Sequence, residues 1–320
     1  MRTRQLGGSG PEVGAVGLGC MGMSWGYAES QRDDALSVRV LEQALDLGVT
    51  HLDTADVYGD GHNETLVGRV LARRRREAVV ATKVGLVVDD LGTRAMHRDG
   101  SPAHVRRAAE ASLRRLGTDV IDLYYLHRVD PAVPLEETWG ALSDLVARGT
   151  VRRLGLSEVT VEEIERAHRV HPVSAVQSEL SLWTRNPLAE GSDVVRWCAD
   201  HGVAFVPFAP LGRGFLTGAF DRPDFEEGDF RSTNPRFADT AFAANLRIVA
   251  AVREVAARHA ATPAQVAIAW TLAQGEHVIP VPGTKNPRYL TENAMAEALR
   301  LTAGDLAELD ALPAAVGGRY

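Results

Sequence analysis

One alternation runs through the whole chain and limits what it can fold into. Short apolar runs at 15–18, 50–53, 78–82, 121–126, 151–156, 175–177, 204–206 and 278–279 are separated by stretches with helical periodicity. Leu36, Val40, Ala44 and Leu47 make one apolar stripe; Val105, Ala108, Ser112, Leu113 and Leu116 make another. Ser101-Pro102, Asn186-Pro187 and Thr262-Pro263 each place a capping side chain before a first-turn proline. Thr160 with Glu163, and Thr262 with Gln265, spell capping boxes, and Gly48, Gly117, Gly149 and Gly202 stand where helices should stop. Eight strand–helix alternations with no linker and no break in composition predict an α/β fold, a single (β/α)8 TIM barrel over 1–320. The opening RTRQLGGSGPEV reads as a small hairpin ahead of the first barrel strand. Two segments, 85–100 and 215–245, exceed the usual loop length and follow strands, so both should emerge on the carboxyl face. Phe225, Phe230, Phe237 and Phe242 predict that the second of them packs against the body.

Charge and cysteine usage exclude several functions. A net charge of −7 and a pI near 5.8 argue against nucleic acid or an anionic membrane as partner, and a small-molecule ligand is expected. No apolar run approaches the roughly 20 residues needed to span a bilayer, and MRTRQLGGSG has no signal-peptide core, so a cytoplasmic location is expected. Cys20 and Cys198 give neither a disulfide framework nor a Cys-x-x-Cys pair. His168 and His171 lack a nearby acidic or third ligand, and no metal is expected. The basic run Arg73 to Arg76 closes a predicted helix, where cations favour the dipole. The oligomeric state is left open.

GLGCMG, 17–22, matches the G-x-G-x-x-G dinucleotide pattern, but Met23-Ser24-Trp25-Gly26-Tyr27 follows it and reads as loop. A pyrophosphate-binding glycine motif opens directly into a helix, so this one is set aside. A short-chain dehydrogenase would need a tyrosine four residues before its lysine; positions 79 and 281 are both valine.

Lysine is nearly absent. Of 35 basic residues only Lys83 and Lys285 are lysines, and Lys83 falls in a buried-looking strand, VVATKVG. Asp53, Tyr58, Lys83 and His127 all lie at, or just after, the carboxyl ends of the second, third and fourth predicted strands. Neighbouring strands run about 4.8 Å apart, so these ends can converge on one pocket. A buried ammonium is costly unless an acid accompanies it, and Asp53 is that acid. Beside Tyr58 the fixed positive charge would favour the phenolate and pull down a pKa ordinarily near about 10. Such a tyrosine can protonate a carbonyl oxygen, with His127 as a second donor. A compact ammonium and a broad guanidinium are not interchangeable there, which explains why this lysine persists.

These residues resemble the aldo-keto reductase family across essentially the whole chain. HLDTADVYGDGHNETLVG (51–68) resembles the family's aspartate–tyrosine signature, VVATKVG its lysine strand and IDLYYLHRVDP (121–131) its histidine strand. GLSEVT (155–160), VQSELSLWTR (176–185), PFAPLGRGFLTG (207–218) and IPVPGTKNPRYLTEN (279–293) are similar to its cofactor segments, in order. The bacterial and plant branch similar to pyridoxal and perakine reductases fits best.

The resemblance implies a barrel that binds extended NADPH and reduces an aldehyde or ketone. By it, Asp53, Tyr58, Lys83 and His127 form a catalytic tetrad with Tyr58 as general acid. Ser157, Glu158 and Gln177 would hold the carboxamide, Phe208 would stack on the nicotinamide, and Pro210, Leu211, Gly212, Arg213 and Gly214 would follow the pyrophosphate. Lys285 and Arg288 would meet the 2′-phosphate, Glu292 and Asn293 the adenine, while Gly19, Cys20, Met21, Asp53 and Gly283 would border the cofactor. Trp25 and Trp183, with Tyr58 and His127, would shape the substrate pocket. Two positions depart from the family's usual pattern: Glu158 stands where asparagine is common, and Phe208 where tyrosine is. A competing reading is a nucleotide-sensing regulatory subunit, like the channel-associated β subunits that share this fold; the intact tetrad favours an enzyme.

Overall fold

The computed structural model describes every residue except Ser192 and Tyr320. An antiparallel hairpin, β1 (Thr3–Gln5) and β2 (Glu12–Gly14), comes first. The strands β3 (Leu18–Gly19), β4 (His51–Asp53) and β5 (Val79–Val84) follow, then a second hairpin of β6 (Leu86–Asp90) and β7 (Ala95–Arg98). The strands β8 (Leu123–Leu126), β9 (Leu154–Ser157), β10 (Ala175–Gln177) and β11 (Ala204–Phe205) complete the set. Apart from the two hairpins, all are parallel, in the order β3-β4-β5-β8-β9-β10-β11.

The ring closes through 278–283, which forms parallel bridges to both edges: Val278 to Phe205, Val281 to Phe208, and Gly283 to Gly19. The fold is therefore a TIM barrel whose eighth position is irregular. Ile279 and Val281 donate to Phe205 and Pro207, while Pro280 and Pro282 accept from Gly17 and Gly19. Proline has no N–H, so the ladder toward β3 lacks half its bonds and no regular strand forms.

The helices are α1 (Asp34–Asp46), α2 (His62–Arg74), α3 (Pro102–Leu116), α4 (Leu135–Ala147) and α5 (Val161–Val170). After them come α6 (Val194–Asp200), α7 (Asp239–Arg258), α8 (Pro263–Leu272), α9 (Pro287–Met295) and α10 (Ala303–Asp310). The capping boxes of α5 and α8 form as expected, and Ser101 caps α3, whose far end stops at left-handed Gly117. Asn186-Pro187 opens only a single 3₁₀ turn, and GLGCMG runs into another, Met21–Met23, with no α-helix behind it. Segment 85–100 is the β6–β7 hairpin rather than a loop, and α7 begins inside the segment 215–245. The rest of that segment packs as expected: Phe237 and Phe242 are buried, with Phe215, Phe225 and Phe237 meeting edge to face. Among the described residues no helix is long and apolar enough to cross a membrane.

Strand periodicity places the functional groups. Leu52, Val80, Tyr124, Leu126, Leu154, Leu156 and Val176 pack outward with the helices, and Ala81, Leu123, Tyr125, Ala175, Ala204, Ile279 and Val281 fill the barrel. Leu6 and Val13 of the first hairpin join that interior cluster. Side chains alternate faces along a strand, so Asp53, Lys83, Ser157 and Gln177 share the inward face, one step beyond the apolar filling. Gly155 makes room for it: a Cβ there would come 2.4 Å from the Tyr125 ring.

Candidate active site

Lys83 is wholly buried, and its three N–H groups are all directed at oxygens. Nζ donates to Asp53 Oδ1 at 2.6 Å, to the Thr54 carbonyl at 2.8 Å and to the Tyr58 hydroxyl at 3.5 Å. The other Asp53 oxygen accepts from Gln177 Nε2 at 2.7 Å. The carboxylate is therefore held at both ends, which is what keeps a buried ion pair from being a liability. The Nζ atom also lies 5.2 Å from the Tyr58 ring centre and 5.9 Å from that of Tyr125. His127 meets Tyr58 edge to face, with ring centres 6.0 Å apart. The four side chains that the sequence analysis brought to one pocket lie side by side.

Burial works against the Lys83 ammonium, but Asp53 and Tyr58 outweigh it, and its pKa is raised. For Tyr58 the direction differs from the expectation above. Burial lifts the phenol above its ordinary value, and Lys83 offsets only part of that rise by charge and hydrogen bond. The lysine limits the increase instead of producing a net fall. Burial, with Arg128 and Lys83 as further positive charges, pushes His127 well below the usual histidine range, so the ring is neutral. Among the described residues its buried Nδ1 has no hydrogen-bond partner.

Around this core lie the residues expected at the cofactor. Ser157 Oγ accepts from Arg128 Nη1 at 3.1 Å, and Arg128 also donates to the His127 carbonyl at 2.6 Å. Glu158, in a left-handed conformation, accepts from the Glu179 amide at 2.8 Å and pairs with Arg319 at 2.6 Å. Arg319 bridges on to Glu179 and lies over the half-buried Phe208 ring, 6.0 Å from its centre. From 209 to 214 the chain turns sharply: Ala209, Gly212, Arg213 and Gly214 all have positive φ. A Cβ on Gly212 would come 2.7 Å from the Trp183 ring, so the bare backbone lies against that indole. The Gly212 and Gly214 amides are spent inside the turn, on the Ala209 and Leu211 carbonyls at 2.9 and 3.0 Å.

Other positions are less directly placed. Lys285 Nζ donates to the Tyr27 and Ala28 carbonyls, at 3.3 and 2.8 Å, and burial lowers its pKa. Arg288 is exposed in the first turn of α9, Glu292 accepts from Thr262 Oγ1 at 2.7 Å, and Asn293 is buried. Gly19 and Gly283 touch across the barrel closure, and Met21 packs beside Trp25 and Tyr58. Cys20 is a packed thiol, pushed up by burial, whose amide donates to the Asp53 carbonyl at 2.8 Å. Trp25 packs with Val57 and Tyr58 at the mouth. Trp183 stacks on Phe215 at 4.3 Å and is buried in the main core, behind Gly212. Two segments tie together nearby: Phe230 N donates to the Gly26 carbonyl, and Ala28 N to Asp229, both at 2.9 Å.

Sequence reasoning missed Arg128, the Thr54 carbonyl and Arg319. Arg128 was within reach, since it follows His127 directly. Arg319 was not, because nothing local says that a residue 140 positions further on will return to Glu179.

Comparison with known proteins gives the family. The model of the aldo/keto reductase family matches residues 15–314. A probable aldo-keto reductase 1 of Glycine max is 43% identical over 99% of this chain and 91% of its own length. An aldo-keto reductase of Schizosaccharomyces pombe, named for NADP(+), is 40% identical over 96% of this chain and 90% of its own. The glycerol dehydrogenase of Gluconobacter oxydans superposes with a TM-score of 0.86 at 32% identity, covering 96% of this chain and 94% of that one. An aldo-keto reductase of Klebsiella pneumoniae in complex with NADPH gives 0.73 at 27% identity, over 97% and 94%. With the family model matching residues 15–314 and two relatives 40% and 43% identical over nearly the whole of this chain, the chain belongs to the aldo/keto reductase family.

Proposed function

We propose that the protein reduces an aldehyde or ketone to an alcohol with NADPH, using Tyr58 as general acid. The observation that carries this reading is the Lys83 amine, closed off from solvent and set 2.6 Å from Asp53 and 3.5 Å from the Tyr58 hydroxyl. One feature fits the cofactor: the half-buried Phe208 offers a ring face to a nicotinamide. Ser157, Glu158 and Gln177 would border the carboxamide end, and Lys285, Arg288, Glu292 and Asn293 the adenosine end. NADPH supplies a hydride to the carbonyl carbon when bound.

The chain's own residues supply the proton and the field. A general acid must hold its proton until the reaction calls for it, and the raised pKa of Tyr58 does that at neutral pH. As the proton leaves for the carbonyl oxygen, negative charge appears on the phenol next to the Lys83 ammonium. That charge is already fixed by Asp53, so no reorganisation is required at the moment of reaction. His127, neutral, orients the carbonyl through its ring N–H without competing as an acid.

The same shifts dictate a pH profile. Tyr58, with its pKa raised, is fully protonated below it, so reduction should lose rate only as pH climbs beyond about 10. No inflection should appear near about 6.5, because His127 is neutral well below that. An acid limb near that value which disappears in His127→Gln would contradict the neutral imidazole. Loss of NADPH absorbance with 4-nitrobenzaldehyde, methylglyoxal and pyridoxal tests the activity itself. Tight NADPH binding with no turnover on any of them would favour the nucleotide-sensing reading.

A further inference from the structure

Two threonines flank the buried ion pair, and the first turn of α2 holds both. Thr54 follows Asp53, and its hydroxyl donates to Asn63 Oδ1 at 2.6 Å. Thr82 precedes Lys83, and its hydroxyl donates to Glu64 Oε1, also at 2.6 Å. All four of these side chains are wholly buried. The other Glu64 oxygen accepts from Arg115 Nε at 2.6 Å, so that carboxylate is paired.

Asn63 has the wider reach. Its Nδ2 donates to the Cys20 carbonyl at 2.9 Å and to Ser24 Oγ at 2.8 Å. Its backbone amide donates to the Tyr58 carbonyl at 3.1 Å. One residue therefore ties together Thr54, the Tyr58 turn and the turn after β3. An amide brings two donors and an acceptor to that point, whereas a carboxylate of the same shape has no donor.

The consequence is felt at Lys83. The Thr54 carbonyl is one of the two short acceptors of its ammonium, at 2.8 Å, while the Tyr58 hydroxyl stands at 3.5 Å, the long end of hydrogen-bond range. A small displacement of the Thr54 peptide or of the Tyr58 turn would carry the hydroxyl out of the ammonium's reach. We propose that Asn63 is a positioning residue for carbonyl reduction: it holds Thr54 and Tyr58 at the spacing that lets the Lys83 ammonium act on the Tyr58 hydroxyl. This rests on the reductase reading above.

The test measures kcat for 4-nitrobenzaldehyde, its pH profile and thermal denaturation in wild type, Asn63→Ala, Thr54→Val and their double variant. Val70→Ala, a truncation of a wholly buried core residue on the same helix, is the control for lost stability alone. Asn63→Ala should lower kcat about ten- to a hundred-fold, the scale of a small misplacement of reacting groups. Thr54→Val, which removes the hydroxyl and keeps the backbone carbonyl, should lower kcat less. The double variant should be no slower than Asn63→Ala, since both act through one contact. Burial raises the Tyr58 pKa and Lys83 offsets part of that rise, so loosening their contact should move the basic limb of the profile to higher pH. Val70→Ala should melt earlier and leave kcat and the limb in place. If Asn63→Ala behaved like Val70→Ala, Asn63 would be a packing residue and the proposal would fall. A fully additive loss in the double variant would overturn it too, because Asn63 would not be acting through Thr54. Should Asn63→Ala fail to fold, Thr54→Val decides: a lower kcat with a shifted limb supports the proposal, and wild-type values overturn it. No turnover by the wild type would bring down the reductase reading and this inference with it, whereas normal wild-type turnover with unchanged variants would remove the inference alone.

Discussion

Tyr58→Phe should lower kcat by about 10²- to 10⁴-fold, the usual contribution of a positioned general acid, while leaving NADPH affinity and the fold intact. The ring stays, so its packing with Trp25, Val57 and Ala55 is kept. Lys83 is not orphaned by the change. It retains its two shorter bonds, to Asp53 and to the Thr54 carbonyl, and loses only the 3.5 Å contact. The loss should fall on kcat rather than on KM for the cofactor, since the hydroxyl acts on the substrate oxygen alone. NADPH fluorescence titration and steady-state rates on one aldehyde separate the two. A variant turning over within a few-fold of wild type would mean that another group delivers the proton.

How much of this was legible in the sequence depended on whether the information was local. Asp53, Tyr58, Lys83 and His127 could be placed together because each stands at or just after the carboxyl end of a short predicted strand and neighbouring strands lie close, whereas Ser157 and Gln177 came only with the family resemblance. The survival of one lysine in an arginine-rich chain pointed to the ion pair for the same reason: a single buried position has a chemical requirement that can be read residue by residue. The β6–β7 hairpin went unread because β7 is exposed along its whole length, so no apolar alternation marks it. The irregular eighth strand was hidden by Pro280 and Pro282, which remove donors without altering the apolar pattern. The sign of the Tyr58 shift could not be read either. It is a balance between burial and a neighbouring charge, and sequence shows the charge but not the depth of burial. Arg319 reaches Glu158 and Glu179 from a segment whose return path is set by tertiary packing alone.

Lys83→Met should cost both activity and stability, and a second substitution should separate the two. Removing the ammonium leaves Asp53, 4% exposed, with Gln177 as its only remaining side-chain partner among the described residues. Breaking a buried pair from one side costs about 3–5 kcal/mol, because the surviving charge has neither water nor counter-ion. Catalysis should fall by about 10²- to 10³-fold or more, since charge developing on the Tyr58 oxygen would meet no preorganised cation. Adding Asp53→Asn to Lys83→Met removes the stranded carboxylate and should return much of the lost thermal stability. It should return none of the rate, because the phenol still lacks its neighbouring charge. Lys83→Arg makes the complementary point: it preserves the charge but asks a planar fork to occupy a closed space between Asp53, the Thr54 carbonyl and the Tyr125 ring. It should be as inactive as the methionine variant, showing that position matters as well as sign. Thermal denaturation and NADPH oxidation measured on the four proteins decide the matter. If Lys83→Met kept its rate within tenfold, or if the double variant recovered activity along with stability, the ammonium would be a fold-stabilising ion and the acidity of Tyr58 would have another source.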